Sequence, residues 1–138
     1  MFHKILVPLD FTEENRAALK LAREMAARDG ASIVLLHVIE TIQDVSFEEM
    51  RGFYERLERR AQTKLAEAIA GFADPAAVRQ DVVYGRRAEA IVGYAAENGM
   101  DLILLSSHPI GPERPHAAIG SISHKVAVLA ACPVLLVK

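Results

Sequence analysis

Short runs of β-branched and other apolar residues alternate along the chain with longer stretches in which apolar positions recur every three or four residues. The short runs have the character of strands and the longer ones that of amphipathic helices. Their alternation is the pattern of βαβ units around a parallel sheet. Phe2 to Val7 reads as the first strand, with Ile33 to Val38, Leu102 to Leu105 and Val134 to Val137 as later ones. Ile33 to Val38 is nearly continuous in apolar character, as a strand covered on both faces must be. Val78 to Val83 is more polar and alternating, which places it at a sheet edge.

Between the strands, Ala18, Leu21, Ala22 and Met25 form the apolar stripe of a first helix, capped by Thr12, carrying Glu13 and Glu14 in its first turn and closed by Gly30. Arg16, Lys20, Arg23 and Glu24 are left for solvent. Met50, Tyr54, Leu57, Ala61, Leu65, Ala68 and Phe72 trace the longest helix, which should stop between Gly71 and Pro75. Ala88, Ile91, Val92 and Ala95 mark a third helix ending at Gly99. Ile122, Val126, Leu129 and Ala130 mark a fourth, opened at Gly120-Ser121 and stopped before Pro133. Five strands and four helices over 138 residues predict a single domain spanning 1–138. Ser106 to Ile119, with Pro109, Pro112 and Pro115, is the one long unpatterned stretch, and it is expected to be the least ordered segment without a ligand.

Composition narrows the function classes. A net charge of -2 argues against nucleic acid and anionic membrane surfaces as partners. Cys132 is the single cysteine, so neither an internal disulfide nor a thiolate metal cluster can form, and it is expected to be a small buried apolar group. Met1-Phe2-His3-Lys4 does not resemble a signal peptide, no segment has the apolar length of a membrane span, and a cytoplasmic location is expected.

In open parallel sheets ligands bind beyond the carboxyl ends of the strands where the winding reverses. With the first and fourth strands adjacent there, Pro8 to Thr12 and Ser106 to Ser123 face the crevice. Asp10 then supplies a carboxylate, and Gly120-Ser121 supplies the amides of a helix start, a suitable cradle for phosphate. The same residues are equally those of an ordinary helix start and an ordinary loop carboxylate. Neither GxxxxGK[ST] nor GxGxxG is present. His108, His116 and His124 lack zinc-ligand spacing, and Ser107, His108 and Asp10 lack the nucleophile elbow of a hydrolase triad. Arg114 reads as a solvated loop residue, and the pair Arg86-Arg87 as solvated or partner-facing and away from the crevice.

Six segments taken in order resemble the universal stress protein family: Phe2-His3-Lys4-Ile5-Leu6-Val7-Pro8-Leu9-Asp10-Phe11-Thr12, Leu35-Leu36-His37-Val38, Gly85 with Ala88-Glu89-Ala90-Ile91, Asp101 to His108, Gly120-Ser121-Ile122-Ser123 and Cys132 to Val137. The resemblance covers the whole chain. It implies an open five-stranded parallel sheet in the order 3-2-1-4-5 with helices on both faces, of the adenine-nucleotide alpha-hydrolase-like kind. It also implies a homodimer joined through Val134 to Val137. Many members bind ATP through a glycine, two residues, a glycine, nine residues and then Gly-Ser or Gly-Thr. Here Ser106 and Pro109 stand in place of the first two glycines, and ten residues separate Pro109 from Gly120.

Carried over position by position, the likeness implies that Pro8 and Asp10 border ribose and a nucleotide-bound magnesium, and that Val38 meets adenine with its backbone. Leu105 and Ser106 line the sugar, while Gly120, Ser121, Ile122 and Ser123 hold phosphates. The expected function is a non-enzymatic module that binds or senses ATP in a stress response. A nucleotide-independent interaction module of the same fold and a slow ATPase are the alternatives.

Overall fold

A computed structural model describes residues 1–108 and 121–138. Its strands are β1 (Lys4–Pro8), β2 (Ser32–Ile39), β3 (Val78–Tyr84), β4 (Leu102–Ser106) and β5 (Val134–Val137). They form one sheet in the order β3-β2-β1-β4-β5, and every pairing is parallel. The helices are α1 (Asn15–Asp29), α2 (Arg51–Ala70), α3 (Arg87–Glu97) and α4 (Ile122–Leu129). The expected strand order and the edge position of β3 are thus observed.

Successive side chains of the inner strands point to opposite faces and build two cores. Ile5, Val7, Ile33, Leu35, Leu102 and Leu104 pack with Ala18 and Ala22 of α1 and Leu65 of α2. Leu6, Leu36, Val38, Ile103 and Leu105 pack on the other face with Ala88, Ile91 and Ala95 of α3 and Val126 of α4. This two-sided burial explains the near-continuous apolar runs. It also leaves the start of α3 and the start of α4 on the same face, above the carboxyl ends of β1, β2 and β4.

Four local expectations are corrected. Thr12 does not cap α1: Asn15 N and Arg16 N bond back to the carbonyls of Thr12 (3.1 Å) and Glu13 (3.0 Å), and α1 begins at Asn15 with Glu14 before it. The Thr12 hydroxyl donates instead to Asp10 Oδ1 at 2.7 Å, a nearer acceptor. Arg23 does not project freely into solvent. Its guanidinium lies over the Phe72 ring, 5.5 Å from the centroid, because α1 and α2 pack side by side there. Leu129 belongs to the periodic pattern of α4 yet is 52% exposed beside Val128, since α4 turns only its Val126 side to the sheet. Cys132 is only half-buried at the margin of the α3–α4 core, and burial pushes its thiol pKa up.

Leu65 is fully buried in the core beneath α2, which packs over β2 and β3. Leu65→Ala should cost about 2–5 kcal/mol in urea unfolding through lost apolar burial and the cavity left behind.

Candidate functional site

Asn15 opens α1 and is one of the two buried polar residues among the described residues, the other being Ser106 at the end of β4. Its Oδ1 accepts from the amides of Asp10 (3.0 Å) and Phe11 (2.8 Å), and its Nδ2 donates to Ser106 Oγ at 2.9 Å. One side chain therefore shapes the loop after β1 and ties it to the end of β4. Phe11 needs that support, because it sits at φ 66°, a left-handed conformation that is uncommon for a bulky residue. Its ring stacks on His37 with centroids 4.3 Å apart, and the Lys64 ammonium lies 5.2 Å from its centroid. Ser106 accepts from Asn15, so its own hydroxyl hydrogen is left to donate elsewhere.

The turn after β1 presents Asp10. Oδ1 accepts from the Thr12 amide (3.1 Å) and hydroxyl (2.7 Å), and Oδ2 lies 3.0 Å from His108 Nε2. Burial raises the Asp10 carboxyl pKa, but these hydrogen bonds and the facing imidazole outweigh it and hold the group below the ordinary carboxylate range. Asp10 is thus ionised at neutral pH. His37 donates from Nδ1 to Leu9 O at 2.7 Å. Burial pulls the His37 pKa down, the bond to Leu9 opposes this, and the charge of Arg87 adds to the lowering.

A cavity of about 210 Å³ opens at the point where β1 and β4 diverge. Pro8, Asp10, Val38, Leu105, Ser106, Ser121, Ile122 and Ser123 all line it, joined by Asn15, Leu36, Ile91, Ser107 and His108. Gly120, the remaining candidate, lies outside the described residues, as do Pro109, Arg114, His116 and the rest of 109–119. At the α4 end, Ser121 Oγ accepts from His124 N at 3.1 Å. The amides of Ile122 and Ser123, in the first turn, have no acceptor within the helix and are the donors available to an anion. The lining is therefore apolar at its centre, with hydroxyls, amides and the Asp10–His108 pair toward β4 and α4.

Sequence reasoning missed two polar lining residues, Arg87 and Asn15, along with the apolar Leu36 and Ile91. Arg87 was placed away from the crevice, but it lines the cavity because α3 leans its first turn over the end of β2. The signal was available: Arg87 falls one helical turn before Ile91, on the apolar stripe of α3. Asn15 stands likewise three residues before Ala18 on the buried side of α1, where a polar residue calls for a partner. The triad reading does not hold: the two ring nitrogens of His108 face Asp10 (3.0 Å) and Glu14 (3.6 Å), leaving none to take a proton from Ser107. Among the described residues no group of three or more His, Cys, Asp or Glu side chains is arranged to hold a metal ion. Asp10 is the one carboxylate lining the described cavity, so magnesium would have to arrive with a ligand's phosphates.

Comparison with known proteins agrees with this geometry. Residues 1–138 match the model of the universal stress protein family. A universal stress protein from Thermus aquaticus is 35% identical over 143 residues, covering all of both chains. The solved structure of a Methanocaldococcus jannaschii universal stress protein superposes with a TM-score of 0.79 at 30% identity, covering 100% of this chain and 96% of that one. Two more distant structures, each 18% identical, share the fold. One is a universal stress protein in complex with cAMP (TM-score 0.69, covering 99% of this chain and 97% of that one). The other is an Archaeoglobus fulgidus protein in complex with dAMP (TM-score 0.63, covering 99% and 98%).

Asn15→Ala should lower stability by about 1–3 kcal/mol in urea unfolding, because it strands two loop amides and removes the tie to Ser106. A second outcome concerns pH. The folded pKa of His37 lies below its ordinary value of 6.5, so on acidification the unfolded chain takes up a proton first. Stability should fall as pH drops through about 6.5 and continue to fall until the folded ring itself is protonated. Urea midpoints at about pH 7.5 and about pH 5.5 should therefore differ less in His37→Gln than in the parent.

Proposed function

The chain belongs to the universal stress protein family, and on that premise we propose that it binds an adenine nucleotide, ATP with magnesium, in the cavity between β1 and β4. It acts as a non-enzymatic binding or sensing module in a stress response, working in the cytoplasm. The observation that carries this reading is the convergence of Pro8, Asp10, Val38, Leu105, Ser106, Ser121, Ile122 and Ser123 on one cavity. Nucleotides in the named complexes of two distant relatives support the ligand class.

In this reading the apolar walls at Val38 and Leu105 take the base and the sugar. Asp10, ionised and fixed by Thr12, accepts from ribose hydroxyls, and Ser106 donates from the hydroxyl that Asn15 has oriented. The free amides of Ile122 and Ser123 receive phosphate, and Gly120 would extend that cradle. Magnesium would add charge neutralisation on the phosphates. Binding is favoured over hydrolysis because the cavity's one described carboxylate is already engaged by Thr12 and His108, which leaves it poorly placed to activate water.

A homodimer accompanies this reading. Val128, Leu129, Leu135 and Leu136 are 68%, 52%, 43% and 39% exposed, and they lie on α4 and β5 at one edge of the sheet. An exposed apolar edge strand pairs readily with its own copy across a two-fold axis.

Calorimetric titration with Mg-ATP, together with mass spectrometry of small molecules released from freshly purified protein, tests the ligand. The parent should bind, and Asp10→Ala should weaken binding about ten-fold or more, as expected for losing hydrogen bonds to a charged group. A parent that neither carries nor binds an adenine nucleotide overturns the proposal and favours a nucleotide-independent interaction module. Sedimentation at micromolar protein should give a dimer that Leu136→Lys shifts toward monomer, whereas a strictly monomeric parent would exclude pairing through β5.

A further inference from the structure

Arg87 has no part in the pattern that leads to a nucleotide, yet it lines the same cavity as Asp10 and Ser121. It begins α3, one turn before Ile91, and the two residues face the cavity together with Val38 and Leu36 of β2. This is the end away from the hydroxyls and helix amides of α4. Among the described residues the charged partner of Arg87 is Glu40, whose Oε1 lies 3.7 Å from Arg87 Nε. That pairing steadies a flexible side chain and offsets its charge, and it leaves the outer guanidinium nitrogens to another acceptor. Glu40 directly follows β2, so this pairing places Arg87 on the β2 side of the cavity.

A planar cation with only donors, set beside flat apolar walls, is complementary to a heteroaromatic ring. It can donate to acceptor nitrogens at the ring edge or lie against the ring face. A phosphate has better partners at the opposite end, where the first-turn amides of α4 and several hydroxyls gather. We infer that Arg87, held by Glu40, recognises the base of the bound nucleotide and sets the specificity of the site. This rests on the adenine-nucleotide reading above and deepens it.

Calorimetry on the parent, Arg87→Gln and Arg87→Lys with adenosine, AMP and Mg-ATP separates base recognition from phosphate recognition. Arg87 is more than a third exposed on its side chain, so both variants should melt with the parent. The expected result is a loss of affinity of about ten-fold, equal for all three ligands and little changed between low and moderate salt. Arg87→Lys should not restore binding, because the planar fork rather than the charge is required. Glu40→Gln should give a smaller loss of the same kind. Parent-like affinity in Arg87→Gln, a loss that grows from adenosine to ATP, or full rescue by lysine overturns the inference while leaving the nucleotide site intact. A parent that binds none of the three overturns both.

Discussion

The loop after β1 and the end of β4 lie side by side at the switch point, but no ladder of backbone hydrogen bonds joins them there. The side chain of Asn15 closes that gap, accepting from two amides of the loop and donating to Ser106 across 91 residues of sequence. An amide suits this position because it carries both an acceptor and a donor on one rigid group. Asp10, the left-handed Phe11 and the Ser106 hydroxyl all take their places from it. Removing water from these groups makes each hydrogen bond matter more and makes a missing partner costly. The site's rigidity thus comes from a buried polar residue, while the two apolar cores on either side set where that residue stands.

The cavity is electrically divided. Asp10 and His108 face one another toward the β4 side, and Arg87 and Glu40 pair on the β2 side. Asp10 is held by the Thr12 hydroxyl and the His108 ring, and Arg87 by Glu40, so each charged group has a polar partner and the middle is left to apolar side chains. A ligand must then match a polar end, an apolar middle and a second polar end in sequence. Such a demand selects for shape and hydrogen-bond order more than for total charge.

Most of this architecture could be read from the chain. Ile33 to Val38 announced a doubly covered strand because burial on both faces leaves no place for polar alternation. The alternation of strand and helix required parallel pairing, and the family resemblance supplied the strand order and the residues that converge on the cavity. What escaped were side chains whose neighbours are distant in sequence. Arg87 looked solvated because two adjacent arginines at a helix start usually are, and only the lean of α3 over β2 brings the second one inward. Asn15 was hidden in the same way, as its key partner is a strand end far along the chain. Thr12 misled for a local reason, since its hydroxyl had a closer acceptor in Asp10 than any helix amide.

The inner strands send alternate residues into two different cores, and this limits how the chain can change in length. One residue inserted into β1 would move Ile5 and Val7 out of the α1–α2 core and drive Leu6 out of the other, so both layers would be lost together. Insertions and deletions are therefore confined to the connections. Evolution can alter the reach of the loops around the cavity freely, but it must keep the register of β1, β2 and β4 constant. Diversity among such proteins should accordingly concentrate at the rim of the crevice, where a changed loop alters what is recognised without disturbing what is folded.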